Sequence, residues 1–563
     1  MLSPVRRRLF ATLAVVAVIA ASCSSGPSVQ SQFSSPSMHP TAQPPPEAAV
    51  VGPLSSPGGP YLYDTDHRVV FLHGVNLVEK HPPYVLSITP GSPTSFTFAD
   101  AQRIEHLGLN VVRLGVTWAG IEPGHGGINQ PAVCTPGSPG DPGMWNSAAA
   151  AAYVAQVRAV IDLLARANLM VIVDMHQDVF AAAFRGEGAP PWAVCSDGPV
   201  VLQPGRWSKA YSSHSLNAAI GHFWRNDVVG NLQGNFDRSW SYLASSLRGA
   251  ANVIGYDPFN EPFSTSTTQV DRHAFATLLE CAYTGRLHTG RLDSDTINTS
   301  CPRTIPSMGM IPTIEAADPR GLLFVEPDLY GTRHDGPVLL GPMPFPRLVY
   351  NVHAYCPERS GLTGDPTHLM ACEDHILLSL SRAHHVRATL ASRAQRSGPA
   401  WLLTEFGATR SAEMVAAAVQ DASDLQLGWI YWSWFWLNDP TGSSHEALVM
   451  RDGTLSPAVA ALATPYPEAV AGSPVSIDSD PRAHSLDLLY VPNPKASAPT
   501  VISIPRDRMH NGWCTSVDGG SIRSAPGASH VVIDDADGAS LVHVVLRPGA
   551  CPGTNPAVLN GGG

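Results

Sequence analysis

The sequence predicts an α/β fold: a (β/α)8 TIM barrel followed by a small C-terminal antiparallel β-sandwich. Three observations carry that expectation. From Arg68 onward, β-branched apolar runs ending in polar residues alternate with stretches whose apolar residues recur at three and four positions. Strands that are apolar throughout, set between helices, describe a parallel sheet covered on both faces, and the eight such runs match the number that closes a barrel. After Ser473 the helical periodicity ends and short alternating runs separated by Gly, Pro and Asp take over, the pattern of a small sandwich.

In chain order the eight runs are RVVFLHGVNL (68–77), LNVVRLGVTW (109–118), LMVIVDMHQD (169–178), VIGYDPFNEP (253–262), GLLFVEPD (321–328), RLVYNVHAY (347–355), AWLLTEFGAT (400–409) and LGWIYWSWF (427–435). Amphipathic stretches at 98–107, 148–167, 236–250, 377–397 and 412–423 supply helices between them. The alternating runs of the C-terminal part are SLDLLYV (485–491), TVISI (500–504), HVVID (530–534) and LVHVVL (541–546). The expected division is therefore barrel over 60–465 and sandwich over 466–563. The sandwich is read as packing support, because beyond Tyr490 and Trp513 its sequence shows no row of aromatics for binding sugars.

The N-terminus follows a different logic. Arg6, Arg7 and Arg8 precede an apolar stretch from Leu9 to Ala21, then Ser22 and Cys23, which reads as an export signal over 1–23. The apolar stretch is too short to span a bilayer comfortably. Ala20-Ala21-Ser22-Cys23 resembles a bacterial lipobox, so Cys23 is expected to carry lipid and tether an exported protein to the cell surface, with simple secretion as the alternative. Residues 24–59 are rich in Ser, Pro and Gln, the composition of a disordered tether.

Charged residues make up 14% of the 563-residue chain and the net charge is −11, so the basic footprint of a nucleic-acid binder is missing. A neutral or zwitterionic substrate and a monomeric state fit better, and no cofactor is called for. Of nine cysteines, removal of Cys23 leaves an even number in an exported protein, which implies disulfides. Cys514 and Cys551 stand alone in the C-terminal region and pair if the domains fold separately. For the others, sequence neighbours are the simplest expectation: Cys134–Cys195, Cys281–Cys301 and Cys356–Cys372.

In such barrels the active site lies where the strands end and the following loops begin. Read there, the chain offers Asn76, Arg113, His176, Asp178, Asn260, Glu261, His353, Tyr355, Glu405 and Trp432 or Trp434. Glu261 and Glu405 matter most. A carboxylate among apolar residues costs several kcal/mol unless hydrogen-bonded or neutral, and two that face each other are the machinery of glycoside hydrolysis. Lys80, His176 and Asp178 suit recognition of sugar hydroxyls. A metal held by Asp174, His176 and Asp178 is the competing reading, against which stands the lack of a second Cys/His ligand set. His353 also suits a satisfied core histidine. Trp432 and Trp434 are expected on the same face of strand eight, so that one stacks on a sugar while the other packs the barrel, and the sequence does not say which. The long excursions after strands three and four, with Phe180, Phe184, Trp192 and Phe223 in the first, form either a wall for a lipid aglycone or a mini-core beneath the loops.

The constellation resembles the retaining glycosidases whose catalytic glutamates follow strands four and seven, and specifically glycoside hydrolase family 5. Asn260-Glu261-Pro262 matches that family's acid/base motif, Arg113 its strand-two arginine, His353-x-Tyr355 its strand-six pair and Glu405 its nucleophile, over roughly residues 60–460. VNLVEKHPPY (75–84), DMHQDVF (174–180), DPFNEP (257–262), TEFGAT (404–409) and PYPEAVAG (465–472) are similar to the endoglycoceramidase subgroup. The resemblance implies that Glu261 protonates the glycosidic oxygen and Glu405, ionised beside Arg113 and Tyr355, attacks the anomeric carbon, while Asn260 binds the sugar 2-OH. It implies a glycolipid or oligosaccharide as partner. The alternatives are a β-glucanase or β-mannanase on polysaccharide, and a non-catalytic glycan-binding surface lipoprotein.

Overall fold

The computed structural model describes residues 52–551 apart from 93–94, 137–143, 203–206, 264–268, 289–297, 300, 330–342, 344, 356–378, 382–397, 436–445, 451 and 507–511. The N-terminal segment opens with two short strands, β1 (Leu62–Tyr63) and β2 (Val69–Val70), followed by the barrel strands β3 (His73–Leu77), β4 (Val111–Val116), β5 (Met170–Met175) and β6 (Val253–Asp257). A small hairpin, β7 (Leu287–His288) and β8 (Asn298–Thr299), interrupts the series, which resumes with β9 (Leu322–Val325), β10 (Leu348–Ala354), β11 (Ala400–Gly407) and β12 (Trp429–Trp432). All eight barrel strands pair in parallel and close in chain order, β12 returning to β3. Gly74 permits the β3–β4 approach, since a Cβ there would meet the Val111 carbonyl oxygen at 2.0 Å.

The helices that cover the sheet begin where the sequence supplies caps. Phe98–His106 starts with the reciprocal box of Thr97 and Asp100, Ser147–Arg166 with Asn146, and Ala412–Asp424 with Ser411. The helix expected at 236–250 runs instead over Leu232–Leu247, capped by Asn231. The stretch 377–397 lies almost wholly outside the described residues.

The run 68–77 is not one strand. Val69–Val70 belongs to the C-terminal sheet and His73–Leu77 to the barrel. The remaining strands are β13 (Tyr466–Val470), β14 (Gly472–Asp480), β15 (Ser485–Pro492), β16 (Thr500–Ser503), β17 (Trp513–Asp518), β18 (Gly520–Ile522), β19 (His530–Asp535) and β20 (Val542–Pro548). They form two antiparallel sheets, ordered β1-β2-β13-β16-β19-β18 and β14-β15-β20-β17, with Val69, Phe71, Leu488, Tyr490, Ile533 and Val544 among the side chains buried between them. Period-two alternation sends Val70 the other way, into the cluster with Val111, Ile172, Phe324 and Ile430 that fills the lower barrel. The six-stranded sheet therefore floors the barrel, and the polar end stays open.

Three disulfides are present among the described residues, Cys134–Cys195, Cys281–Cys301 and Cys514–Cys551, each as expected from the sequence. Cys356, Cys372 and Cys23 lie outside the described residues.

Candidate active site

The site starts from a guanidinium at its base. Arg113, on β4 and fully buried, donates through Nη1 to Glu405 Oε1 at 2.7 Å and Asn76 Oδ1 at 3.2 Å, and through Nη2 to Asn260 Oδ1 at 2.7 Å and Asp257 Oδ2 at 2.8 Å. Asp174 Oδ1 at 3.0 Å and Glu326 Oε1 at 3.4 Å complete its surroundings. A buried charge survives only when paired, and the planar five-donor fork suits several oxygens at once. Burial works against the charged form, but Asp174, Asp257, Glu405 and Glu326 together raise the arginine well above its ordinary range. Asn76 is a brace: its Nδ2 donates to the Thr404 and Tyr431 carbonyls, tying β3 to β11 and β12.

Two β-bulges decide which carboxylates face inward. On β11, Ala400 and Leu402 point into the barrel core, and strict alternation would next send Thr404. The β10–β11 register shifts between Val352/Leu403 and His353/Glu405, so Glu405 turns inward instead. A shift at Val171/Ile172 against β6 does the same for Asp257 after Ile254.

Glu405 accepts the Tyr355 hydroxyl at 2.6 Å on Oε2, and His353 Nδ1 lies 3.4 Å from the same oxygen. Burial raises its carboxyl above the usual range, while His353 and Arg113 oppose that rise. Glu261 follows β6 in the left-handed region at φ 44°, with its carbonyl receiving Gln177 Nε2 at 3.1 Å. His353 Nδ1 meets its Oε1 at 2.8 Å. One oxygen from each glutamate and the imidazole nitrogen all fall within 4.8 Å of one another. Burial would lower His353, but Glu326 and Glu405 hold it well above the usual imidazole range.

Beside this pair is a second charged group. The Lys80 ammonium lies 2.5 Å from Asp178 Oδ2, 3.8 Å from Glu187 Oε1 and 4.6 Å from the centre of the Trp432 ring. His176 stacks on Trp432 at 5.2 Å and 13°, held by Asp174 Oδ2 at 2.7 Å. Burial disfavours the His176 cation, yet Asp174 and Asp178 push it up to about 10. Lys80 and His176 overcome burial to keep Asp178 well below the carboxylate range. His176, Asp178 and Glu187 are spaced as metal ligands are, but Lys80 already supplies the cation there. Trp432 Nε1 donates to Glu446 Oε2 at 2.8 Å.

Every sequence-predicted site residue converges here except Trp434. Its side chain is fully buried in the hydrophobic core, 6.0 Å from Arg103 on the outer helix and 6.5 Å from Phe435. The expectation that it shares a face with Trp432 fails because β12 ends at Trp432, and alternation holds only within a strand. Sequence reasoning weighed Asp174 only as a metal ligand and missed Asp257, Glu326 and Asn351, and also Glu187 and Glu446. The first four stand in the same strand-end runs as the residues it found, so position was the available signal; Glu187 and Glu446 sit in loops and had none.

The first excursion is a mini-core. Phe180, Phe184, Trp192 and Phe223 are all buried, with Trp118 edge-on to Trp192 and Phe236 and Phe223 packed on Phe180 and Phe259. Of the two readings left open by the sequence, lipid wall or mini-core, these aromatics take the second: an aromatic-rich loop buries its rings on one another when it is long enough to enclose them. A separate cleft adjoins Glu261 and is lined by Asp328, Leu329, Ala354, Tyr355 and Ser379.

The model of the cellulase family described as glycosyl hydrolase family 5 matches residues 91–436, and that of the glycoside hydrolase family 5 C-terminal domain matches 465–545. Endoglycoceramidase I of Rhodococcus hoagii (strain 103S) is 26% identical over 506 residues, 87% of this chain and 88% of that protein. An endoglycoceramidase of Cyanea nozakii is 29% identical over 226 residues, 36% of this chain and 40% of that one. Among solved structures, endo-glycoceramidase II from Rhodococcus sp. in a ganglioside GM3 complex shares the fold with a TM-score of 0.65 at 24% identity, covering 87% of this chain and 100% of that chain.

Proposed function

This chain belongs to glycoside hydrolase family 5 and is a glycosidase, and from that premise we propose that it cleaves the β-glucosidic bond between sugar and ceramide in glycosphingolipids with retention of configuration. The observation that carries the mechanism is the closeness of Glu261 and Glu405, whose oxygens come within 4.8 Å. Inverting enzymes hold their carboxyls roughly 6.5–9.5 Å apart to admit a water, whereas retaining ones hold them about 5–5.5 Å apart.

Glu405 acts as nucleophile, its lone pairs aligned by Arg113 and Tyr355. Glu261 gives its proton to the departing oxygen and then takes one from the water that hydrolyses the glycosyl-enzyme. Asn260 gives one amide hydrogen to the Gln177 carbonyl and has the other for the sugar 2-OH. Lys80, His176 and Asp178 bind the remaining hydroxyls over Trp432. The substrate class draws support from the endoglycoceramidase relatives, one of which spans nearly this whole chain, and from Leu329 and Ala354 in the cleft on the acid side, where the aglycone leaves.

On our reading residues 1–23 form a lipoprotein-type export signal, 24–59 a tether, 60–465 the barrel and 466–563 the sandwich, with Cys23 lipidated at the cell surface or the protein simply secreted. The disulfides support an oxidising compartment. The deciding experiment incubates purified protein with ganglioside, glucosylceramide, cellulose and mannan and follows the product by NMR. Release of β-configured sugar from the two lipids supports the proposal. An α product formed first ends the retaining mechanism, and equal or better rates on the polysaccharides end the glycolipid assignment.

A further inference from the structure

Glu326, at the end of β9, is buried and has no part in the reaction as described so far. Its Oε2 accepts the backbone N–H of Glu261 at 3.1 Å. Its Oε1 lies 3.3 Å from His353 Nε2, 3.2 Å from Asn351 Nδ2 and 3.4 Å from Arg113 Nη2. The other nitrogen of that imidazole, Nδ1, faces Glu261 Oε1 at 2.8 Å and Glu405 Oε2 at 3.4 Å. The Glu326 carboxylate thus reaches Glu261 twice, directly through the main chain and indirectly across the His353 ring.

We propose that Glu326 is a positioning residue for Glu261, clamping its left-handed backbone and holding His353 as a cation that donates to Glu261 Oε1. The inference rests on Glu261 being the acid/base. A non-glycine residue at φ 44° is strained and needs surrounding contacts to stay there. Glu326 on its N–H and Gln177 on its carbonyl supply them. Across the ring, the negative charge on the Nε2 side favours the imidazolium, which keeps Nδ1 a donor. With Oε1 occupied by that donor in both protonation states of Glu261, the transferable proton is confined to Oε2, the oxygen free to face the leaving group. Among the described residues the charged groups around the ring are Glu261, Glu326 and Glu405, with Arg113 beyond the last two. Burial alone would discharge this histidine, and Glu326 is the foremost of the carboxylates that prevent it.

The test compares full-length wild-type protein with Glu326→Gln, Glu326→Asp and Glu261→Gln on two substrates. One is glucosylceramide, whose leaving oxygen needs a proton; the other is a 2,4-dinitrophenyl β-glucoside, whose leaving group needs none. Glu326→Gln is expected to lower kcat/KM on the lipid on the order of 10- to 100-fold through kcat, with kcat/KM for the dinitrophenyl glycoside, which reports only formation of the glycosyl-enzyme, near wild type. Glu326→Asp, which keeps the charge, should recover part of the loss. The 15N signals of His353 should change from imidazolium to neutral ring at a lower pH in Glu326→Gln than in wild type. Equal losses on both substrates, a loss in KM alone, or an unchanged His353 titration overturns the inference. Should Glu326→Gln not fold, Glu326→Asp carries the same comparison through its shorter reach. If Glu261→Gln shows no leaving-group dependence, the acid/base assignment itself fails; if it does and the Glu326 variants do not, only this inference fails.

Discussion

Arg113 and Glu405 meet at 2.7 Å with both side chains withdrawn from water, one on the second barrel strand and the other on the seventh. The same guanidinium also contacts Asp174, Asp257 and Glu326, so this single cation stabilises the carboxylates of four different strands. Burial pushes Asp257 well above the carboxylate range, Arg113 opposes, and Glu326 and Asp174 add to the rise.

Removing that cation leaves buried carboxylates uncompensated. Arg113→Ala should destabilise the protein by about 3–5 kcal/mol, and Arg113→Lys should fail to restore activity because one ammonium cannot occupy the fork's several directions. Thermal melts beside turnover measurements check this; an Arg113→Lys variant with wild-type kcat refutes it.

The glutamates should separate by role. Glu405→Gln should abolish turnover while leaving substrate binding and the melting temperature near wild type. Glu261→Gln should slow glycolipid cleavage on the order of 10²–10⁴-fold. Calorimetric binding of substrate to the inactive variant distinguishes these losses from unfolding.

The Lys80–Asp178–His176 cluster has a defined pH window. His176 is raised to about 10, so its contribution to stability is complete below the unfolded value of about 6.5 and fades as pH rises through the folded one. Asp178 is depressed, so its contribution is complete above its unfolded value of about 3.9 and disappears as pH falls below that. The melting temperature should decline between about pH 6.5 and 10, and His176→Gln should flatten that decline.

Apolar residues near the site should divide into two kinds. Trp192 is buried in the excursion's core, and Trp192→Ala should cost about 3–5 kcal/mol and depress all activities together. Leu329 lines the cleft, and Leu329→Asp should raise KM for ceramide substrates while small chromogenic glycosides react as before. Reversed behaviour of the pair would move the lipid site to the excursion.

Mass spectrometry of the mature protein should find diacylglycerol on Cys23, disulfides Cys134–Cys195, Cys281–Cys301 and Cys514–Cys551, and a fourth joining Cys356 to Cys372. An unmodified mature N-terminus at another position makes the protein simply secreted.

The sequence by itself determined the barrel, its strand order and most of the site, because eight apolar runs alternating with helices have one compact parallel closure and because strand ends collect polar residues. It also pointed to the three observed disulfides. Only the tertiary structure decided which faces those residues take. Bulges within β6 and β11 turn Asp257 and Glu405 inward against the simple alternation, and a bulge depends on pairing with a neighbouring strand, which no local sequence period records. Trp434 left the site, and Val69–Val70 joined a sheet formed by residues some 400 positions later, for the same reason. The aromatics of the excursion have one composition whether they face solvent or each other; their burial follows from the enclosure that the loop provides together with neighbours such as Trp118 and Phe236, with Cys134–Cys195 pinning it to the loop that follows β4.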